Sequence, residues 1–325
     1  MSKCRFIILS YGRPDLQITL KNLPPQVRKE VELWVVPDQY KEYRRNWKDT
    51  VKSIECWPPH IDCVPKKRQW LAQNMDERYF VVDDDISMYV WSPKEQRYHN
   101  ALDKPKTFAH QFLDVMPSLY DKYACVSMAN KFMSDSFAKR TPSLIKENTL
   151  GFVVTGFRPR VIDRLKSKDK IWFNRTFMFT DIALPLQVLQ ATKSSIQYYG
   201  LVYNHSVVKA LANTGTATYR DDFVKLDSAL KMAQLFPGIV VGAEENGNHG
   251  GGMTIKKFFG RATTGVSAAN LKASADFVAE FCDRHGLTEP PKIFEYDDQT
   301  PRAEIIAQFK RNWNKKLKSG QPKVK

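Results

Sequence analysis

YFVVDDDI, residues 79–86, is an apolar run that ends in three consecutive carboxylates, Asp83, Asp84 and Asp85. Tyr79 to Val82 has the aromatic and β-branched composition of a buried strand. Three adjacent aspartates repel one another, and an unpaired carboxylate is costly to bury. The stretch therefore requires a positive partner, either Lys/Arg side chains or a metal ion. In open α/β sheets ligands collect outside the carboxyl ends of the strands, which is where these acids stand. Side chains alternate along an extended chain, so Asp83 and Asp85 point one way and Asp84 the other. Two carboxylates on one side can hold a divalent cation, and the cation can bind a diphosphate. The plainer alternative is an acidic turn neutralised by Lys66, Lys67 or Arg68.

The flanking sequence predicts the α/β class. Residues 5–10 (RFIILS) and 31–36 (VELWVV) are short β-rich runs closed by Tyr-Gly-Arg-Pro and Pro-Asp. Between them Leu16, Leu20 and Leu23 recur at helical spacing, and residues 65–76 open with a proline and predict a helix before the aspartate strand. Alternating strands and helices imply a mostly parallel sheet flanked by helices. Further on, 105–122 predicts a helix interrupted at Pro117, 182–191 a buried helix, and 124–129, 151–156 and 195–203 strands. Residues 242–252 (GAEENGNHGGG) predict a mobile glycine-rich loop, without the Gly-Lys-Ser/Thr of a P-loop. Amphipathic helices follow over 266–285 and 301–318, and residues 310–325 carry seven Lys/Arg and no acid. The expected division is a catalytic domain over 1–260 and a basic helical extension over 261–325.

Charge points to the partner. Lys and Arg number 50 against 35 Asp and Glu, a net charge of +15. Such an excess favours a polyanion, nucleic acid first and an anionic membrane surface second, with plain solubility as the bland alternative. Residues 131–175 hold eleven Lys/Arg, among them Lys139, Arg140, Arg158 and Arg160, against four acids. A nucleic-acid backbone could use that many cations; a small anion does not need them. Lys256 and Lys257, after the glycine-rich stretch, are candidates either for phosphate contacts or for a lid. No apolar stretch approaches the roughly 20 residues that span a bilayer. The five cysteines are scattered and form no CxxC pair, so neither a disulfide framework nor a zinc site is expected, and a reducing cytoplasm is the expected compartment.

Taken with the turn SYGRPD (residues 10–15), the strand-end DxD resembles the GT-A glycosyltransferases, a Rossmann-like α/β fold. The resemblance implies that Ser10, Tyr11, Arg13, Asp38, Arg68, Asp83 and Asp84 bind a nucleotide sugar. It also implies that Asp83 and Asp85 carry Mn²⁺ or Mg²⁺, with His205 at the end of QYYGLVYNH as an extra metal ligand. In FMFTDIALPLQVLQAT, Asp181 stands where inverting members of the fold have their catalytic base, although Thr180 replaces the usual glutamate. An aspartate there also suits a helix N-cap. The DDDI strand end, the late Asn-His pair and the basic acceptor side make the chain most similar to the TET-associated glycosyltransferases of phages and related elements. That family implies transfer from a UDP-sugar to 5-hydroxymethylcytosine or a related hydroxymethyl pyrimidine in DNA, with the base flipped out of a duplex. Two alternatives stay open: a GT-A enzyme with a glycan or protein acceptor, and a metal-dependent nucleic-acid-binding protein or nuclease. A two-metal nuclease needs further converging carboxylates. The remaining acidic pairs, Asp221-Asp222, Glu244-Glu245 and Asp297-Asp298, fall in predicted loops.

Overall fold

The strand ending in the aspartates lies inside a mixed sheet, with its apolar residues packed on both faces. The computed structural model describes residues 4–149, 154–157, 176–205, 222–246, 252–257, 261–292, 299–321 and 323. The sheet strands are β1 (Cys4–Leu9), β2 (Val31–Val35), β3 (Ser53–Cys56), β4 (Arg78–Asp83), β5 (Ile86–Ser92), β6 (Arg97–Asn100), β7 (Cys125–Asn130), β8 (Ile145–Glu147), β9 (Thr155–Phe157) and β10 (Ser195–His205). Their order is β3-β2-β1-β4-β9-β7-β10-β5-β6, with β8 also paired to β10. The pairings make β3, β2, β1, β4, β7, β10 and β6 run one way and β9, β5 and β8 the other. The expected mostly parallel α/β sheet is therefore present, and the carboxyl ends of β1, β4, β7 and β10 share one edge.

Two compact units make up the chain. The first comprises Met1–Pro59, Ala72–Lys170 and Ala191–Thr218, and it contains the whole sheet. Its core centres on stacked rings: Phe6 faces Phe80 at 5.7 Å and Phe112 at 4.6 Å between centroids. Phe112 comes from a helix that begins at Pro105–His110 and widens to π-type hydrogen bonding over Gln111–Val115. Pro117 lacks an N–H to close an ordinary turn, so the helix loosens ahead of it instead of breaking there. Buried Glu32 of β2 pairs with half-buried Arg5 of β1 and, at 2.7 Å, with exposed Lys52. Burial alone would raise the Glu32 carboxyl, but the bonds from Arg5 and Lys52 hold it below the usual range.

Strand β10 changes partners along its length. Ile196–Tyr198 pairs with β8, and Leu201–His205 pairs with β5. Its register against β7 shifts between Tyr198 and Val202, an irregularity that contains Gly200, where a Cβ would run into the Tyr198 ring.

The second unit comprises His60–Leu71, Ile171–Gln190 and Tyr219–Lys325, so the division expected at residue 260 falls inside it. The helices Asp222–Leu235, Ala268–Arg284 and Arg302–Asn314 share a core that includes Leu230, Phe281, Phe309 and Trp313. The Asp227–Lys231 ion pair, 2.7 Å long and 1% exposed on both sides, is buried there, and the Trp313 indole donates to Asp227 at 2.7 Å. The glycine-rich stretch differs from its expectation. Residues on either side of 247–251 form an antiparallel pair, β11 (Val240–Asn246) and β12 (Gly252–Lys257). Cross-strand bonds satisfy the backbone whatever the side chains, and Gly242 sits at the register shift, a place that tolerates glycine. Residues 247–251 themselves lie outside the described residues. No helix among the described residues is long and apolar enough to cross a membrane.

Two measurements check this packing. Gly156 pairs with Phe80 on one side and Val126 on the other, and an added Cβ would collide with the Tyr120 hydroxyl and the Tyr79 carbonyl. Gly156→Ala should lower stability by about 1–3 kcal/mol or more, read as the urea unfolding free energy. Glu32, with its folded pKa below the ordinary 4.5, stabilises the protein above that pH and loses the contribution as pH falls through the lower folded value. The stability gap between wild type and Glu32→Gln should be constant near neutrality and shrink below pH 4.5.

Candidate active site

Leu9 lies opposite Asp83 in the parallel β1–β4 register, so Ser10 and Asp84 leave the sheet side by side at its carboxyl edge. Ser10 Oγ donates to Asp84 Oδ2 at 2.5 Å and accepts from Gln17 Nε2 at 2.7 Å. The serine has one proton, so the Tyr43 hydroxyl, 2.7 Å away, donates to it. Tyr43 in turn accepts the Arg13 backbone N–H at 3.0 Å. Arg13 Nη1 reaches Asp84 Oδ1 at 2.6 Å and Asp85 Oδ2 at 3.2 Å. Ser10, Arg13, Gln17 and Asp84 are all buried.

Arg13, supplied by the SYGRPD turn, is therefore a positive partner for Asp84 and Asp85. Two of the three acids thus take their cation from the turn after β1. Buried Lys66 bonds to Asp62 at 2.9 Å and to the carbonyls of His60 and Thr300, all in the second unit. The parallel β1–β4 pairing brings residue 13 to residue 84.

The turn itself is clamped by a residue that sequence reasoning missed. Buried Thr19 donates its hydroxyl to the Asp83 carbonyl at 2.7 Å and accepts from the Ile86 N–H at 3.0 Å. The Thr19 N–H donates to the Asp84 carbonyl at 3.1 Å. Gln17 and Tyr43 were missed as well. Tyr43 shares helical spacing with Tyr40 and Trp47 and reads as core; only the adjacency of β2, β1 and β4 sends its hydroxyl to Ser10. The available signal was polar residues, Gln17 and Thr19, set beside Leu16 and Leu20 in an otherwise apolar stripe.

The strict alternation expected of an extended chain stops at Asp83, because Asp84 and Asp85 form a turn and both reach Arg13 Nη1, but the three acids still differ in burial. Asp84 is buried, while Asp83 and Asp85 are half-buried. Burial pushes the Asp84 carboxyl above the usual range, against the pull of Arg13 and Ser10. Burial also acts on Asp85, but His205 and Arg13 overcome it and hold that carboxyl below the usual range. The antiparallel pairing His205↔Ile86 delivers His205 to this point, with Nδ1 3.8 Å from Asp85 Oδ1. The two Asp85 oxygens are thus divided between Arg13 and His205. The Tyr203 ring holds the imidazole edge-on at 5.6 Å.

The other expected site residues separate into groups. Tyr11 is half-buried in the same turn, where Gly12 takes φ 69° and donates its N–H to the Gln39 side chain at 2.8 Å. That bond draws the turn after β2, with exposed Asp38, to the same edge. Lys139 and Arg140 are exposed in the last turn of the helix Asp135–Arg140, which follows β7. Arg158 and Arg160 lie outside the described residues. Arg68, Asp181, Lys256 and Lys257 belong to the second unit. There Arg68 is buried in the helix Val64–Asn74, and Lys256 and Lys257 end β12. Half-buried Asp181 occupies the first turn of the helix Thr180–Thr192, where the positive end of the helix favours a carboxylate.

Among the described residues, no group of three or more His, Cys, Asp or Glu side chains is arranged to hold a metal ion. Of the expected metal ligands, the structure brings two together at the edge: a carboxylate oxygen of Asp85 and an imidazole nitrogen of His205, 3.8 Å apart, donor types that divalent transition metals accept.

Arg13→Ala should cost about 3–5 kcal/mol in denaturant unfolding, because it leaves Asp84 buried beside Asp85 without its cation. Adding Asp84→Asn should recover part of that loss. Thr19→Val should cost about 1–3 kcal/mol by the same measurement, as the turn loses its hydroxyl bonds.

Sequence comparison adds a family. The model described as TET-Associated Glycosyltransferase matches residues 5–215. No curated protein matches the chain. Similar solved structures include a cytidylyltransferase from Leptospira borgpetersenii serovar Hardjo-bovis, at 12% identity and TM-score 0.32, covering 61% of this chain and 76% of that one. Another, from Bacillus anthracis and described as a glucose-1-phosphate thymidylyltransferase in complex with a sucrose, has 9% identity and TM-score 0.34, covering 64% and 91%.

Proposed function

Because the chain belongs to the TET-associated glycosyltransferase family, we propose that it transfers a sugar from a UDP-sugar to the hydroxymethyl group of 5-hydroxymethylcytosine, or a related hydroxymethyl pyrimidine, in DNA. The observation that carries the donor half is the edge assembly: Asp85 and His205 side by side, braced from below by the buried Arg13–Asp84 pair. Ser10, Tyr11, Arg13 and Asp38 gather at the same edge and are the proposed nucleotide-sugar contacts. Asp83, Asp85 and His205 are the proposed ligands of Mn²⁺ or Mg²⁺, which when bound would offset the negative charge of the donor diphosphate. The basic excess of the chain supports a polyanionic acceptor, with exposed Lys139 and Arg140 among its contacts.

In the reaction the hydroxymethyl oxygen attacks the anomeric carbon. A glycosidic C–O bond forms as the bond from that carbon to the diphosphate oxygen breaks, and UDP leaves. The hydroxyl is nearly neutral at pH 7, so its proton must pass to a base. We assign that role to Asp181, a half-buried carboxylate in a helix first turn.

A panel of UDP-sugars incubated with hydroxymethylcytosine DNA and Mn²⁺, analysed by mass spectrometry, should show one sugar added to modified DNA and none to unmodified DNA. Asp85→Asn and EDTA should each abolish transfer, and Asp181→Asn should reduce it by roughly 10²–10⁴-fold. Equal transfer to unmodified DNA, or transfer only to glycan or protein, would refute the acceptor. Undiminished transfer in EDTA would refute the metal.

A further inference from the structure

Phe132 is 92% exposed, the most exposed of the large hydrophobic side chains among the described residues. It stands in the turn Lys131–Met133 directly after β7. Asn130, the last residue of β7, pairs with Tyr203 of β10, two residues before His205. The turn therefore leaves the sheet at the carboxyl edge that carries Asp85 and His205, one strand away.

The ring is presented on a well-bonded turn. Asn130 Oδ1 accepts the Phe132 N–H at 2.9 Å, the Ser134 N–H donates to the Lys131 carbonyl at 3.1 Å, and the Ser134 hydroxyl donates to the Asn130 carbonyl. Its neighbour Lys131 is anchored over the Tyr89 ring at 4.3 Å. Five residues on, the Phe137 ring packs at a tilt against Tyr199, 4.1 Å between centroids, so one aromatic of this segment is used in packing while the other stands in solvent. The segment 131–140 carries Lys131, Lys139 and Arg140 against a single acid, Asp135. A solvent-facing ring on a hydrogen-bonded turn, in a segment richer in cations than in acids, suits DNA: phosphates pair with the cations, and an apolar side chain can enter the base stack where a nucleotide is drawn out.

We propose that Phe132 is a wedge. In the complex with duplex DNA it enters the stack beside the hydroxymethylated pyrimidine and keeps that nucleotide turned out toward the Asp85–His205 edge. The inference rests on the proposed DNA acceptor, and it makes Phe132 a positioning residue that acts on the duplex and not on the reacting atoms.

The test compares wild type, Phe132→Ala and Phe132→Trp on one hydroxymethylated sequence, offered as duplex and as single strand. A single strand needs no wedge. Phe132→Ala should therefore lower the duplex to single-strand ratio of kcat/KM by about tenfold, the order expected for one lost base–aromatic stack, and Phe132→Trp should restore it. 2-Aminopurine placed next to the acceptor base should brighten on binding wild type and stay dim with Phe132→Ala. The alanine variant should keep the wild-type melting temperature, since the side chain it removes is in solvent. An unchanged ratio, equal losses on both substrates, or equal 2-aminopurine brightening would overturn the wedge. So would loss of a wild-type dimer in the alanine variant by light scattering, which would make Phe132 a subunit contact. Absence of wild-type transfer to either DNA would instead refute the acceptor reading and the wedge with it, whereas normal wild-type transfer with an indifferent Phe132→Ala refutes the wedge alone.

Discussion

The Arg13–Asp84 pair holds together what would otherwise be two separate loops, one after β1 and one after β4. Both partners are buried, and removing two charges from water opposes their mutual attraction. The surrounding bonds tip the balance: Ser10 supplies a hydroxyl to the second Asp84 oxygen, and Tyr43 and Gln17 fix Ser10 and the Arg13 backbone. Thr19 closes the assembly from the far side by holding the backbone of the aspartate turn. With Asp84 committed inward, its two neighbours are left at the mouth of the strand. One internal carboxylate thus orients two outward ones, and the glycosyltransferase site proposed here stands on that arrangement.

Beyond the paired charges, the acids and the exposed bases of the first unit follow different strands of the sheet. Acids concentrate after β4, where β10 returns to add an imidazole; exposed bases follow β7. The first unit can therefore present to its surroundings a compact acidic point beside a more diffuse basic region. On the proposed function, the donor diphosphate with its cation would meet the point and the DNA backbone the region.

Much of this was legible in the sequence. An apolar run ended by alternating carboxylates identified β4 and its carboxyl edge, because strand periodicity and burial leave few other readings of VVDDD. His205 was legible as a strand-end histidine, although its proximity to Asp85 depends on the antiparallel β5–β10 register. What sequence could not supply was neighbourhood. A cation for the aspartate turn was sought in a metal ion or in Lys66, Lys67 and Arg68, close in number, and the strand order β2-β1-β4 brings Arg13 and Tyr43 close in space as well. Glycines 242 and 252 argued for a loop because intrinsic propensity disfavours glycine in strands. Long-range pairing overrode that preference in β11 and β12, and the same limitation hid the short strands β3, β6 and β8.

The irregularity in β10 sets the phase of the strand. Before it, the even-numbered residues Ile196 and Tyr198 enter the main core; after it, the odd-numbered Leu201 and Tyr203 do, while Tyr199 and Val202 join the smaller cluster on the other face. His205 inherits the odd parity. Gly200 and its neighbours act as a half-step that converts one alternation into the other, so the face on which the imidazole emerges is decided five residues upstream, well away from any chemistry. A chain that lost that half-step would keep its composition and its apolar content, yet would aim the histidine away from the aspartates.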